Sequence, residues 1–99
     1  MNDVNNVKSA SEAGDASAVR AVVEVLARAL TDRPDEVRVV ESQHKGTTLV
    51  ELYLAPGELG KVIGKQGRTA AALRTLAATA GEKEGKTVTL EFRDTPYKG

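Results

Sequence analysis

The sequence predicts an α+β domain in the order α-β-β-α-α-β, a three-stranded mixed sheet with its helices packed on one face. Three observations predict it. Apolar residues return at helical spacing in two separate stretches, Val19 to Leu30 and Ala70 to Ala80. β-Branched residues alternate with polar ones in three others, Val37 to Gln43, Thr47 to Ala55 and Thr87 to Arg93. Turn residues punctuate the junctions. The chain has 99 residues, enough for one domain with a single modest core and too few for two.

Residues 1–16 are polar and small with no usable hydrophobic period, and are expected to form a flexible tail ahead of a domain spanning 17–94. Ser17 or Asp15 is positioned to cap the first helix, in which Val19, Val22, Val23, Leu26 and Leu30 make one apolar face. Asp32-Arg33-Pro34 ends it, because proline cannot continue the hydrogen-bond ladder. The first two strands flank His44-Lys45-Gly46 and form a hairpin. In the second, Val50, Leu52 and Leu54 share one face, while Glu51 marks the face of Leu49 and Tyr53 as the wetter one. Pro56-Gly57 then leads into a short helix with Leu59, Val62 and Ile63. The longest helix runs from Arg68 to about Ala80, its alanines favouring helix and close packing, with Ala70, Leu73, Leu76, Ala77 and Ala80 as the buried stripe. Gly81 or Gly85 ends it. In the last strand Val88, Leu90 and Phe92 point inward, and residues 95–99 make a short C-terminal tail.

The segment Gly57 to Thr69 carries the chemistry. Gly64-Lys65-Gln66-Gly67 joins two helices, and its glycines allow positive φ and close approach of another backbone. The helix beginning after Gly67 turns its unpaired N–H groups and positive dipole end toward that turn. From Leu59 through Gly81 there is no acidic residue, whereas Lys61, Lys65, Arg68 and Arg74 are all cationic. Net charge is zero, so this local bias matters more than the sum. A charged backbone such as single-stranded RNA suits the turn. Other phosphate loops fail on the same residues. A Walker A loop from Gly60 needs glycine where Lys65 stands, and a dinucleotide fingerprint needs glycine at Val62.

The embedded run Gly60-Lys61-Val62-Ile63-Gly64-Lys65-Gln66-Gly67-Arg68, with Asp32-Arg33-Pro34-Asp35-Glu36-Val37 upstream, resembles the KhpA family of small bacterial single-KH-domain proteins. The resemblance covers roughly Ala18 to Arg93 and implies a type II KH domain whose GXXG loop clamps about four nucleotides. It implies an RNA-binding protein, an RNA chaperone or post-transcriptional regulator linked to cell elongation and shape. The implied partners are single-stranded RNA and either a second copy or a larger KhpB or Jag-like KH protein. The implied RNA-binding positions are Gly60, Lys61, Ile63, Gly64, Lys65, Gln66, Gly67, Arg68, Thr69 and Arg74. Gly64 and Gly67 admit the sugar–phosphate backbone, Lys65 and Gln66 sit at the tip, and Lys61 and Arg68 flank the groove. Arg74 extends the basic track or lies on a solvated face. The polar tail departs from the family's compact start.

Composition limits the alternatives. The aromatic residues are Tyr53, Phe92 and Tyr97, too few for the stacking platforms of RRM or cold-shock folds. The absence of cysteine excludes disulfides and thiolate zinc sites. No apolar run approaches the ~20 residues of a membrane span, and no signal peptide is recognised, so a cytoplasmic protein without membrane association is expected. The single histidine, His44, lies in a hairpin turn without an orienting partner. Asp35-Glu36 and Glu82/Glu84 read as solvated surface acids. No enzyme, cofactor, metal or small-molecule substrate is expected. Two other readings compete: a protein-interaction module of KH shape, for which Tyr53 is a candidate contact, and a single-stranded DNA binder.

Overall fold

The computed structural model describes residues 17–94, and the two expected tails, 1–16 and 95–99, lie outside them. Helix α1, Ala18–Leu30, starts at Ser17, whose Oγ accepts the Arg20 N–H at 3.0 Å and so satisfies one of the unpaired donors of the first turn. Thr31 ends the helix, and Pro34 opens a 3₁₀ turn over Pro34–Glu36. Strands β1 (Arg38–His44) and β2 (Thr47–Leu54) pair antiparallel, from Arg38↔Tyr53 to His44↔Thr47. Their two-residue connection, Lys45-Gly46, has φ of 54° and 82°, the doubly left-handed geometry that matches the twist of a tight hairpin.

Helix α2 (Leu59–Ile63), a 3₁₀ turn (Lys65–Gly67) and helix α3 (Arg68–Lys83) then carry the chain to β3 (Thr87–Asp94). That strand lies parallel to β2, from Thr47↔Thr87 to Leu54↔Asp94, which makes the sheet mixed and orders it β1-β2-β3. A parallel pair needs a long crossover, and the α2–turn–α3 segment is that crossover. The turn is thus held at both ends by elements packed on the sheet.

Burial follows the pleat. Thr48, Val50, Leu52 and Leu54 of β2 are buried and their intervening neighbours are half-buried. Against them pack Val19, Val23 and Ala27 of α1, Val62 of α2, Leu73 and Ala77 of α3, and Val39 and Leu90 of the flanking strands. The helices cover one face of the sheet. The other face carries Glu51, paired with Arg93 at 3.2 Å.

Two details differ from the sequence expectation, and one of its alternatives holds. Leu76 is 47% exposed and Leu30 41%, because Ala27, Leu73 and Ala77 occupy the centre of the α1–α3 contact and push the larger leucines to its rim. Gly81 lies inside α3 and is buried; a Cβ there would fall 2.4 Å from Val88 Cγ2 and 3.1 Å from the Lys86 carbonyl, so glycine permits the close seating of α3 on β3. Of the two glycines expected to end the helix, Gly85 (φ 70°) does so in a Schellman motif, with Lys86 N–H on the Gly81 carbonyl at 2.8 Å and Gly85 N–H on the Glu82 carbonyl at 3.1 Å.

Candidate nucleic-acid interface

Helix α2 stops at Gly64, whose φ of 82° and ψ of 171° are essentially restricted to glycine. Sterics impose the same residue: a Cβ would lie 2.4 Å from Thr69 Oγ1 and 2.9 Å from Thr69 Cβ. The chain then reverses through two successive left-handed residues, Gln66 (φ 57°, ψ 22°) and Gly67 (φ 73°, ψ 14°). Gly67 N–H donates to the Gly64 carbonyl at 3.1 Å and closes the turn. The two glycines differ in kind. Gly64 is crowded by its own helix partner, whereas nothing lies within 4 Å of the Cβ position of Gly67, so the outer side of the turn is open to another backbone.

Helix α3 begins at Arg68 with no side-chain cap, leaving donors of its first turn facing the loop. Lys65 and Gln66 are exposed at the tip, and Lys65 has no ion-pair partner among the described residues. Arg68 donates from Nη2 to Gln66 Oε1 at 3.0 Å, which steadies the tip without cancelling the charge. Ile63 is half-buried beside buried Val62, Thr69 sits half-buried under Gly64, and Gly60 is exposed on α2. The Arg74 guanidinium lies 5.1 Å from the centroid of the Phe92 ring, a cation–π contact joining α3 to the edge strand β3, and no carboxylate among the described residues pairs with it.

Lys61 stands apart from the other cations. Its Nζ donates to Asp32 Oδ2 at 2.6 Å and to Glu58 Oε2 at 3.2 Å. Glu58, only 6% exposed, also accepts at Oε1 from Thr31 Oγ1 at 2.6 Å and from Asp32 N–H at 2.8 Å. The Thr31 hydroxyl, then the Asp32 amide and more weakly Lys61, hold the Glu58 carboxyl down at about 2 against the opposing effect of burial. Asp32 first, then Glu58, push the Lys61 ammonium up. This knot fastens the start of α2 to the end of α1. Sequence reasoning missed it, since Glu58 reads locally as a helix-start acid and its partners lie 26 and 27 residues away.

The structure thus brings Gly64, Lys65, Gln66, Gly67, Arg68 and Thr69 together in one turn, with Arg74 about two turns along α3 and Lys61 compensated at its side. His44 is exposed in the hairpin. Among the described residues no cluster of three metal-ligating side chains occurs, and no helix is long and apolar enough to cross a membrane.

The family model described as KhpA/KhpB, KH domain, matches residues 20–92. The chain belongs to that family. Its fold is therefore a KH domain, and the Gly64–Gly67 turn falls within the matched region. A relative from Aquifex aeolicus named RNA-binding protein KhpA is 52% identical over 76 residues, covering 77% of this chain and 96% of the relative. Proteins of the same name from Clostridium acetobutylicum and Halalkalibacterium halodurans are each 45% identical, over 74 and 76 residues. These cover 75% and 77% of this chain and 99% and 100% of the relatives. The shared name is that of an RNA-binding family, not of an enzyme family.

Proposed function

We propose that this protein binds single-stranded RNA by clamping its sugar–phosphate backbone in the GXXG turn Gly64–Gly67. The observation that carries the reading is the open outer side of Gly67 next to the uncapped start of α3. A phosphate lodged there meets backbone N–H groups and the dipole end of the helix, with Lys65 and Arg68 alongside. Arg74 continues the basic track toward the β3 edge, and Gly60 and Ile63 line the approach along α2. A four-nucleotide clamp reads little sequence, which suits a post-transcriptional regulator or RNA chaperone in the cytoplasm, in a pathway of cell elongation and shape.

One clamp covers little RNA, so the protein acts in pairs, as a homodimer or with a larger KH-domain protein of the KhpB or Jag type. Avidity from two linked clamps raises apparent affinity by about 10²–10⁴. An exposed apolar strip on α1 supports such pairing: Val25 is 65% exposed, and with Ala21, Val22 and Leu26 it lines a shallow apolar groove.

The deciding experiment replaces Lys65 and Gln66 by aspartate. Both side chains are exposed and outside the core, so circular dichroism and the denaturant melt should stay native while binding to single-stranded RNA is abolished. Unchanged RNA affinity in the folded double variant would overturn the clamp.

A further inference from the structure

The opposite edge of the sheet carries a second polar concavity. A cleft of about 430 Å³ runs between α1 and β1, walled by Arg20, Glu24 and Arg28 from the helix and floored by Val37 through Glu41. The three helix residues recur every fourth position and so share one stripe. Most charges there are already matched. Arg28 Nη2 meets Glu24 Oε2 at 2.8 Å, and Glu41 accepts from the Ser17 hydroxyl and from Lys86 Nζ, the latter at 3.3 Å. Two guanidinium groups are exceptions, and Arg20 is the first. Its Nε is buried without any hydrogen-bond acceptor, and its guanidinium has no carboxylate partner among the described residues. Among the described residues Arg38 donates from Nη1 only to the carbonyls of Asp35 (3.3 Å) and Val37 (3.0 Å), and no carboxylate there pairs with it.

A buried guanidinium N–H without an acceptor is unusual, and a carboxylate, which only accepts, is the group that completes it. The floor supplies a second demand. Among the described residues β1 pairs with β2 alone, so the backbone groups on its outer edge face the cleft. We propose that this cleft docks an extended acidic segment of a partner protein, which adds as a strand to the outer edge of β1 and sets one carboxylate against Arg20 and Arg38. Strand addition supplies the backbone bonds, and the carboxylate supplies selectivity.

RNA suits the cleft poorly. Glu24 and Glu41 stand in its wall and floor, where a run of phosphates would meet both, whereas a single carboxylate fits between them. The cleft also lies on the β1 edge, across the sheet from β3 and from helix α3, which follows the basic turn. It is a protein site separate from the RNA clamp.

The test uses the full chain, labelled for NMR, and a synthetic peptide of about eight alternating threonines and valines with one central glutamate. The glutamate peptide should shift the amides of Val37 to Glu41 and the Nε–H of Arg20, and its glutamine counterpart should bind at least about tenfold more weakly. Arg20→Gln, or Arg38→Gln if the first variant does not fold, should abolish that tenfold preference while leaving single-stranded RNA binding unchanged. Shifts confined to other residues, or equal binding of the two peptides, would overturn the proposal. So would oligouridylate shifting the same β1 amides, since the cleft would then belong to the RNA track. Arg20→Gln moving the amides of residues 1–16 with no peptide added would also overturn it, by making the chain's own N-terminal segment the occupant.

Discussion

Lys61 and Lys65 stand four residues apart, one inside helix α2 and one just past it, and the fold uses them in opposite ways. Lys61 is enclosed by Asp32 and Glu58, and Glu58 is itself satisfied by Thr31 and the Asp32 amide. Lys65 projects from a turn with no carboxylate partner among the described residues. The first belongs to a closed polar knot that fixes the helix to α1. The second lies on an open turn whose left-handed geometry is already set. A structural fastening satisfies its charges internally; a binding site leaves them for the ligand. Lys61 is committed to the fastening, so the proposed RNA site counts Lys65, Arg68 and Arg74 as its cations.

The sharpest way to break this comparison is Gly64→Ala. It places a Cβ inside Thr69 and demands a backbone conformation that alanine rarely adopts. We expect a loss of about 2–4 kcal/mol in a urea melt, from the strained φ and the overpacking together, and loss of RNA binding with it. Gly67→Ala meets no neighbour and should cost less stability, about 1 kcal/mol for the left-handed φ alone. Equal losses at the two glycines would show that the crowding at Gly64 is relieved elsewhere.

Salt dependence follows in size. Three uncompensated cations, Lys65, Arg68 and Arg74, at a slope of about −0.7 per phosphate neutralised, give a log–log slope near −2 and about a twentyfold loss of RNA affinity between about 50 and 200 mM salt. The same titration separates the two lysines. Lys65→Ala should reduce the slope by about 0.7, whereas Lys61→Ala should leave the slope intact and lower stability instead. A Lys61→Ala slope that drops as far as that of Lys65→Ala would mean that RNA draws Lys61 out of its knot.

The last effect is a dependence on acid. The Glu58 carboxyl sits at about 2 in the folded protein against an ordinary 4.5. A depressed carboxylate stabilises the fold fully above its unfolded value, and that contribution disappears as pH falls from about 4.5 toward 2. Stability of the wild type should therefore fall more steeply over that window than stability of Glu58→Gln, with the two curves parallel above pH about 5. Parallel curves throughout would show that the knot does not depend on ionised Glu58.

The sequence made the element order legible because each signal is local. Alternation in Thr47 to Leu54, the proline after α1 and the glycines at 64 and 67 all act within a few residues. The same locality explains what was hidden. The partner of Glu58 is set by where the end of α1 meets the start of α2, which no spacing in the chain encodes. Leu76 has the helical spacing of a core residue, yet Ala77 and Leu73 face the centre of the α1–α3 contact and leave it exposed. The choice between Gly81 and Gly85 as the helix stop is open in the sequence, which cannot show that Val88 approaches Gly81 within the space a side chain would need. In the turn, glycine at 64 and 67 was legible as freedom of φ. That one is tightly packed and the other open was not.

The parallel pairing of β2 with β3 also sets an order of assembly. The β1–β2 hairpin closes through two residues and forms early, but β3 can join only after the whole crossover has been made and folded back. The Gly64–Gly67 turn lies inside that crossover, and α3 is anchored by the close contact of Gly81 with Val88 in β3. The proposed clamp is thus unfinished in a growing polypeptide until the residues through Asp94 have left the ribosome. Nascent chains halted before β3 should leave RNA ungripped, and a ribosome display series of increasing length would locate the point at which capture begins.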